Sequence, residues 1–239
     1  MEAKPSALHT ISERFENVRA RIRSAAEKAG RSSDEIKLIA ISKTHGAASV
    51  LEALAAGVTD LGENRVQEAE SKINEIGRAA ARWHLVGHLQ TNKARRAVEL
   101  FDVIHSVDSV ALVEKLERLC VETRRPELPV LVQVDLAGEQ TKSGVDSASL
   151  PNLLDAFTGC DRVRLVGLMT LPPFFEDPEC TRPFFKALRD LRDELKADGR
   201  FRGPSELSMG MSHDFEVAIE EGATMVRVGT SIFGERSKQ

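Results

Sequence analysis

Two neighbouring stretches near the C-terminus, Leu207-Ser-Met-Gly-Met-Ser-His-Asp214 and Met225-Val-Arg-Val-Gly-Thr-Ser-Ile-Phe-Gly234, decide how the rest of the chain is read. Each starts as a short apolar segment and breaks into small residues: Ser208, Gly210 and Ser212 in one, Gly229, Thr230 and Ser231 in the other. Small residues let backbone N–H groups approach a ligand closely. Ser212 is placed to cap the helix that Phe215, Ala218 and Ile219 outline. A helix start beside a glycine turn makes a donor-rich pocket for an anion, most often phosphate. Either turn alone reads equally well as a tight strand-to-helix connection with no ligand. Loops after the seventh and eighth strands of a (β/α)8 barrel are the usual phosphate site, so the number of strands upstream settles the matter.

Working back along the chain, Leu8, Ile11, Phe15, Val18, Ile22 and Ala25 recur at steps of three and four, which predicts an amphipathic helix over residues 6–29. Strand-like apolar runs follow at Lys37–Ser42, Thr59–Gly62, Trp83–Val86, Val103–Ser106, Pro129–Val134 and Val163–Met169. Helical patterns separate them over 49–56, 63–76, 91–100, 109–122 and 148–158, and another spans 179–197. Glu206–Ser208 and Met225–Val228 complete eight strands. With no interior linker, residues 1–239 read as one α/β domain, a single (β/α)8 TIM-type barrel with an extra N-terminal helix packed on it. The rival, an open doubly wound sheet, lacks a G-x-G-x-x-G after its first strand. Barrel closure sets the first strand beside the eighth and brings Lys43 close to the glycine turns.

Composition narrows the class. In 239 residues, 41% hydrophobic content supports a substantial core, and a net charge of −4 argues against a general nucleic-acid binder. Cys120, Cys160 and Cys180 form no C-x-x-C pair, which points to thiols in a reducing compartment. No apolar run approaches membrane-spanning length and no signal core opens the chain, so the expected location is the cytoplasm.

Lys43 follows the first strand directly, at the barrel mouth, where partial desolvation favours a free amine that can attack a carbonyl. The plainer reading is a solvated strand-end lysine. On the eighth strand, alternation puts Val226 and Val228 on one face and Met225 and Arg227 on the other. An inward Arg227 either pairs with a carboxylate or donates to a ligand. Asn64, Thr91 and Ser109 suit helix capping. His84 and His88 are four apart, but Gly87 intervenes and no third ligand is spaced for zinc, so no metal site is assigned. Lys142-Ser143-Gly144 reads as a solvated turn, or else a mobile anion-contacting loop.

Ala40-Ile-Ser-Lys-Thr44, Gly62-Glu-Asn-Arg-Val-Gln-Glu68, Trp83-His-Leu-Val-Gly-His-Leu-Gln-Thr-Asn-Lys93, Gly167-Leu-Met-Thr170, Leu207–Ser212 and Arg227–Gly234 together resemble the pyridoxal phosphate homeostasis family, in order and spacing from about residue 35 to 235. The resemblance implies a barrel of the alanine-racemase type (fold-type III), usually monomeric, that holds pyridoxal 5′-phosphate (PLP). On the matching positions it implies Lys43 as the lysine of the internal aldimine, and Ser208, Gly229 and Thr230 as phosphate contacts. Met209 would lend its backbone, Arg227 would face the pyridine nitrogen, and Asn64 would be a pocket residue. Asp135, where the family commonly has Asn, and His45-Gly46, where a proline often follows, depart from the pattern.

A guanidinium at the ring nitrogen leaves the pyridine unprotonated and weakens it as an electron sink. The resulting expectation is a non-catalytic carrier that stores, buffers and delivers PLP, with PLP-dependent apoenzymes as recipients and Lys142 as a transient second position. The enzyme alternatives are an amino-acid racemase and a Schiff-base aldolase. Racemisation needs a second base, which a tyrosine from a separate domain supplies in alanine racemases; this chain contains no Tyr, and His105 and His213 are the substitutes available.

Overall fold

The computed structural model describes residues 10–138 and 143–235. Its centre is a closed barrel of eight parallel strands in sequential order. They are β1 (Lys37–Ile41), β2 (Asp60–Glu63), β3 (Arg82–Leu85), β4 (Val103–Val107), β5 (Leu128–Gln133), β6 (Val163–Met169), β7 (Glu206–Ser208) and β8 (Met225–Val228). Closure is made by β1 on β8, in the register Ile39 to Arg227 and Ala40 to Val228. The expected barrel is therefore the observed one.

Helix α1 (Ile11–Lys28) precedes the barrel; α2 (Ala47–Ala55), α3 (Val66–Ile76), α4 (Ala94–Leu100), α5 (Val110–Glu122), α6 (Leu150–Ala156), α7 (Arg182–Ala197) and α8 (Phe215–Glu220) alternate with the strands, and α9 (Thr230–Phe233) follows β8. Helix α1 starts at Ile11 because Thr10 and Glu13 form a reciprocal capping box; residues 6–9 of the expected helix lie outside the described residues. Its buried face, Ile11, Phe15, Val18, Ile22 and Ala25, is the periodic set that the sequence displays, and it packs on α8 and α9. Helix α3 begins at Val66, three residues later than expected. Glu63 stays in the sheet, where β2 is buried at all four positions.

Two apolar layers result. The larger lies between strands and helices and holds Ala40, Leu61, Trp83, Leu85, Ile104, Val226 and Val228. The smaller fills the barrel with Ile39, Ile41, Val86, Val103, Leu131, Val166, Met169 and Met225. Alternation thus points Met225 inward and Val226 outward, and Arg227 follows Met225 into the interior. No helix among the described residues is long and apolar enough to cross a membrane.

Candidate functional site

The strand C-termini open into a cavity of about 510 Å³, a size that suits a small-molecule ligand. Lys43, Asn64, Arg227, Gly229 and Thr230 line it, together with His45, Met211, Ser212 and His213. Five of the seven residues expected at a ligand therefore meet at one mouth.

Lys43 sits in the turn that ends β1, which Ser42 opens by donating its N–H to Gly62 O at 3.1 Å. Thr44 adopts φ = 68°, uncommon for a β-branched residue. Glu68 accepts the Thr44 N–H. Below the turn, Lys72 Nζ donates to Glu63 Oε1 at 2.5 Å, to Ser42 O at 2.6 Å and to Glu68 Oε1 at 3.1 Å. Ser42 Oγ donates to Glu63 Oε1 at 2.5 Å. Burial pushes the Glu63 carboxyl up, and the Lys72 ammonium opposes that shift. The turn carrying Lys43 is thus clamped by a buried ion pair from β2 and α3.

Asn64 lies at the end of β2, its backbone pressed against Gly87. A Cβ at residue 87 would stand 2.2 Å from Asn64 O, so only glycine permits this approach. The Gly87 carbonyl in turn accepts from Ser106 Oγ at 2.7 Å.

Arg227 is 4% exposed. It donates through one terminal nitrogen to Ser208 Oγ at 2.6 Å and through the other to Thr170 O at 2.8 Å. No carboxylate lies within ion-pair distance of it among the described residues. Desolvation pulls its pKa down to about 10, with Asp214 acting the other way, so the group stays cationic at neutral pH. A guanidinium has five N–H donors and no acceptor, and the bonds to Ser208 and Thr170 leave the rest for the cavity.

Ser208 and Met209, expected as phosphate contacts, do not line the cavity. Both are fully buried. The Ser208 hydroxyl is shared between Arg227 and His105 Nδ1, the latter at 2.9 Å. The Met209 N–H is spent on Met225 O at 3.1 Å. Chain alternation carries the wall one turn further, to Met211 and Ser212. Gly210 makes that turn: it adopts φ = +89°, and a Cβ there would lie 2.6 Å from Ala218 Cβ.

Ser212 was expected to cap the helix that follows it. Asp214 holds the N-cap position of α8 instead, and its Oδ1 accepts the Met211 N–H at 2.6 Å. The Ser212 hydroxyl crosses to the other turn and accepts from the N–H groups of Gly229, at 3.2 Å, and Ser231, at 3.4 Å. The two small-residue turns are therefore tied directly to each other. A side chain capping a turn from another strand has no signature in local sequence.

Of the remaining polar candidates, His88 and Ser143 also line the cavity. His88 Nδ1 faces Asp108 Oδ2 at 3.2 Å, and His84 is buried in the barrel, so the two histidines do not share a site. Asp135 turns back on its own loop, accepting the N–H groups of Ala137 and Gly138. Lys142 lies outside the described residues.

Comparison with known proteins adds the following. A match to the family described as alanine racemase, N-terminal domain, spans residues 14–237. The pyridoxal phosphate homeostasis protein of Aquifex aeolicus is 43% identical over 94% of this chain and 97% of its own length. The Escherichia coli protein of that name is 39% identical over 96% and 98%. Among solved structures, PipY of Synechococcus elongatus with PLP bound superposes with a TM-score of 0.83 at 41% identity, covering 94% of this chain and all of that one. Alanine racemase of Corynebacterium glutamicum, at 19% identity and a TM-score of 0.70 over 62% of its length, shares the fold.

Proposed function

Because this chain belongs to the pyridoxal phosphate homeostasis family, built on the alanine racemase N-terminal-domain barrel, we propose that its C-terminal cavity holds PLP and that the protein stores, buffers and delivers it. The observation that carries the reading is Arg227: a buried cation with no ion-paired carboxylate among the described residues, sharing one cavity with a lysine and a glycine turn. PLP matches that donor set with an aldehyde, a ring nitrogen that accepts, and a dianionic phosphate. When bound, it supplies a carbonyl carbon open to reversible attack by an amine.

Lys43 is the amine placed for that carbon. Arg227 donates a hydrogen bond to the ring nitrogen and, because the guanidinium holds its protons at neutral pH, keeps it unprotonated. The tied turns, through Gly229, Thr230 and Ser212, receive the phosphate; Asn64 borders the ring. Ser208 serves at one remove, by holding Arg227. An unprotonated pyridine stabilises a carbanion poorly, which suits a carrier better than an enzyme. The whole chain acts as one monomeric, cytoplasmic binding unit, with apoenzymes that use PLP as recipients.

The racemase reading requires a base on each face of a bound substrate. His105 is fully buried beneath the cavity and bonded to Ser208, which removes it from that role, while His213 lines the cavity with Nε2 3.0 Å from Glu176 O.

Borohydride reduction of the PLP-loaded protein followed by peptide mass spectrometry tests the assignment. The expected product is a pyridoxyl group on Lys43, absent in Lys43→Ala, with interconversion of D- and L-amino acids at background. Labelling at another lysine, or sustained racemase turnover, overturns it.

A further inference from the structure

A line of hydrogen bonds crosses the barrel interior beneath the cavity and ends at its opposite mouth. From Arg227 it passes to Ser208 Oγ at 2.6 Å and on to His105 Nδ1 at 2.9 Å. His105 Nε2 then meets His84 Nδ1 at 2.9 Å, and His84 Nε2 meets Asp60 Oδ1 at 2.9 Å. The five residues come from β8, β7, β4, β3 and β2. All are buried, and both histidines are wholly excluded from solvent. Asp60 opens β2 at the N-terminal mouth, where it lines a second cavity with Lys37 and Thr59, and Thr59 Oγ1 donates to its other oxygen at 2.8 Å.

Hydrogen-bond chemistry fixes the direction of the whole line. A guanidinium only donates, so Ser208 accepts from Arg227 and turns its own proton to His105 Nδ1. His105 is then the Nε2–H tautomer and donates to His84 Nδ1. By the same logic His84 carries its proton on Nε2 and donates to Asp60. The reverse polarity would set an imidazole lone pair against a carboxylate. Every proton in the line therefore has one place to be, with a cation at one end, an anion at the other and neutral groups between. Burial holds both imidazoles below their ordinary pKa, with Lys37 and Arg82 acting in the same sense on both and Arg227 on His105, while the bond and charge of Asp60 oppose the shift at His84. Asp60 is held below the ordinary carboxyl range by its bonds to His84 and Thr59, which outweigh its burial. The other buried carboxyl, Asp214, acts on Arg227 through space but shares no hydrogen bond with it: its Oδ1 accepts from the Met211 N–H, and burial pushes it toward the neutral form.

We propose that Asp60 is the counter-charge of Arg227, acting through His84, His105 and Ser208, and that this relay is what fixes the guanidinium with its remaining donors on the ligand's ring nitrogen. The four are positioning residues: none touches the cavity, and each acts through the next. The polarity of buried bonds in such a line is cooperative, since each bond polarises its neighbour. The charge at the N-terminal mouth thereby reaches a site at the C-terminal one. This inference rests on the proposed binding of PLP only for its effect on the ligand; the relay itself belongs to the unliganded chain.

Two measurements test it. Long-range ¹H–¹⁵N spectra of ¹⁵N-histidine-labelled protein without PLP should show two buried neutral histidines, both protonated on Nε2 at neutral pH. An Nδ1–H tautomer or an imidazolium at either position overturns the relay. In the second, PLP affinity and the visible band of the bound cofactor are read in Asp60→Asn, Ser208→Ala and the double variant. Asparagine removes the charge and keeps an acceptor for His84, with the Thr59 hydroxyl turning to accept from the amide nitrogen. Each single change should weaken PLP by roughly 5- to 10-fold, and the double no more than the worse single, because both break one relay. The two residues share no contact, so independent structural roles would give multiplying effects, and that result also overturns the proposal. Should the wild-type protein fail to bind PLP, the proposed function falls while the tautomer measurement still decides the relay.

Discussion

Beneath Lys43 the chain buries charge against charge; beneath Arg227 it buries a charge at the head of a line of neutral groups. On the first side Glu63 and Lys72 meet at 2.5 Å, nine residues apart and supplied by one β-to-α unit. On the second, the bond from His105 to Ser208 spans 103 residues, and no ion pair is made by Arg227 among the described residues. The local clamp fixes a backbone turn, whereas the distant relay orients a side chain. The two devices carry different liabilities. A buried ion pair is vulnerable to losing one partner, because the survivor is left charged in a low-dielectric interior. A neutral relay is vulnerable to acid, because its imidazoles must stay unprotonated to keep their polarity.

The largest effect should come from splitting the pair. Lys72→Met leaves Glu63 buried without its cation and should cost about 3–5 kcal/mol in urea denaturation. Replacing both, as Glu63→Leu with Lys72→Met, should recover most of that loss. Full additivity of the two changes would show that the pair is no clamp, and the contrast with the relay would fail.

Acid should act on the other side. The folded pKa values of His84 and His105 lie below the ordinary 6.5, so below that pH the unfolded chain takes up protons that the folded chain refuses. Stability therefore falls as pH drops below 6.5, by at most about 1.4 kcal/mol per pH unit for each histidine that stays neutral in the folded chain. Glu63 and Asp214, raised by burial, bind protons more readily when folded and work in the opposite sense nearer their own pKa values. The window for the measurement is thus about pH 6.5 to 5.5. In His105→Phe the slope of urea stability against pH should drop by about half or more, since His105 is the more strongly shifted of the two; an unchanged slope would place the titration elsewhere.

The smallest effect sharpens the comparison by asking what else steadies the Arg227 side. Ser212→Ala removes the hydroxyl that ties the Gly229 and Ser231 N–H groups, and should cost about 1 kcal/mol of stability, in the range of a lost helix cap. PLP retention should weaken while the visible band of the bound cofactor stays in place, since the ring nitrogen's partner is untouched. A shifted band would mean that the turns and the relay are one unit.

Much of this was legible in the residues. β6, β7 and β8 fall where hydrophobic runs and breakers put them, and alternation alone pairs Arg227 with Met225 on one face of β8, which the closed barrel turns inward. Closure of the barrel was enough to bring Lys43 to the glycine turns. Glu63 was misread as the start of a helix, because a glutamate after glycine looks like a first turn when its buried partner lies in the next helix. Ser208 and Met209 were placed at the ligand because their motif resembles a binding turn. Which residues of such a motif face out depends on where the strand stops, and Gly210 sets that point.

The order of elements, the eight-strand count and the shared face of Met225 and Arg227 were properties of the sequence, since they rest on spacings of two to four residues that each segment carries within itself. That His105 stands against Ser208, that Ser212 caps a turn belonging to another strand, and that Asp60 lies at the far end of a line leading to Arg227 were decided only when the sheet closed. Each of these contacts joins side chains that alternation can aim into the interior but cannot pair. Pairing depends on the stagger of strands around the barrel, and stagger is a property of the closed sheet as a whole.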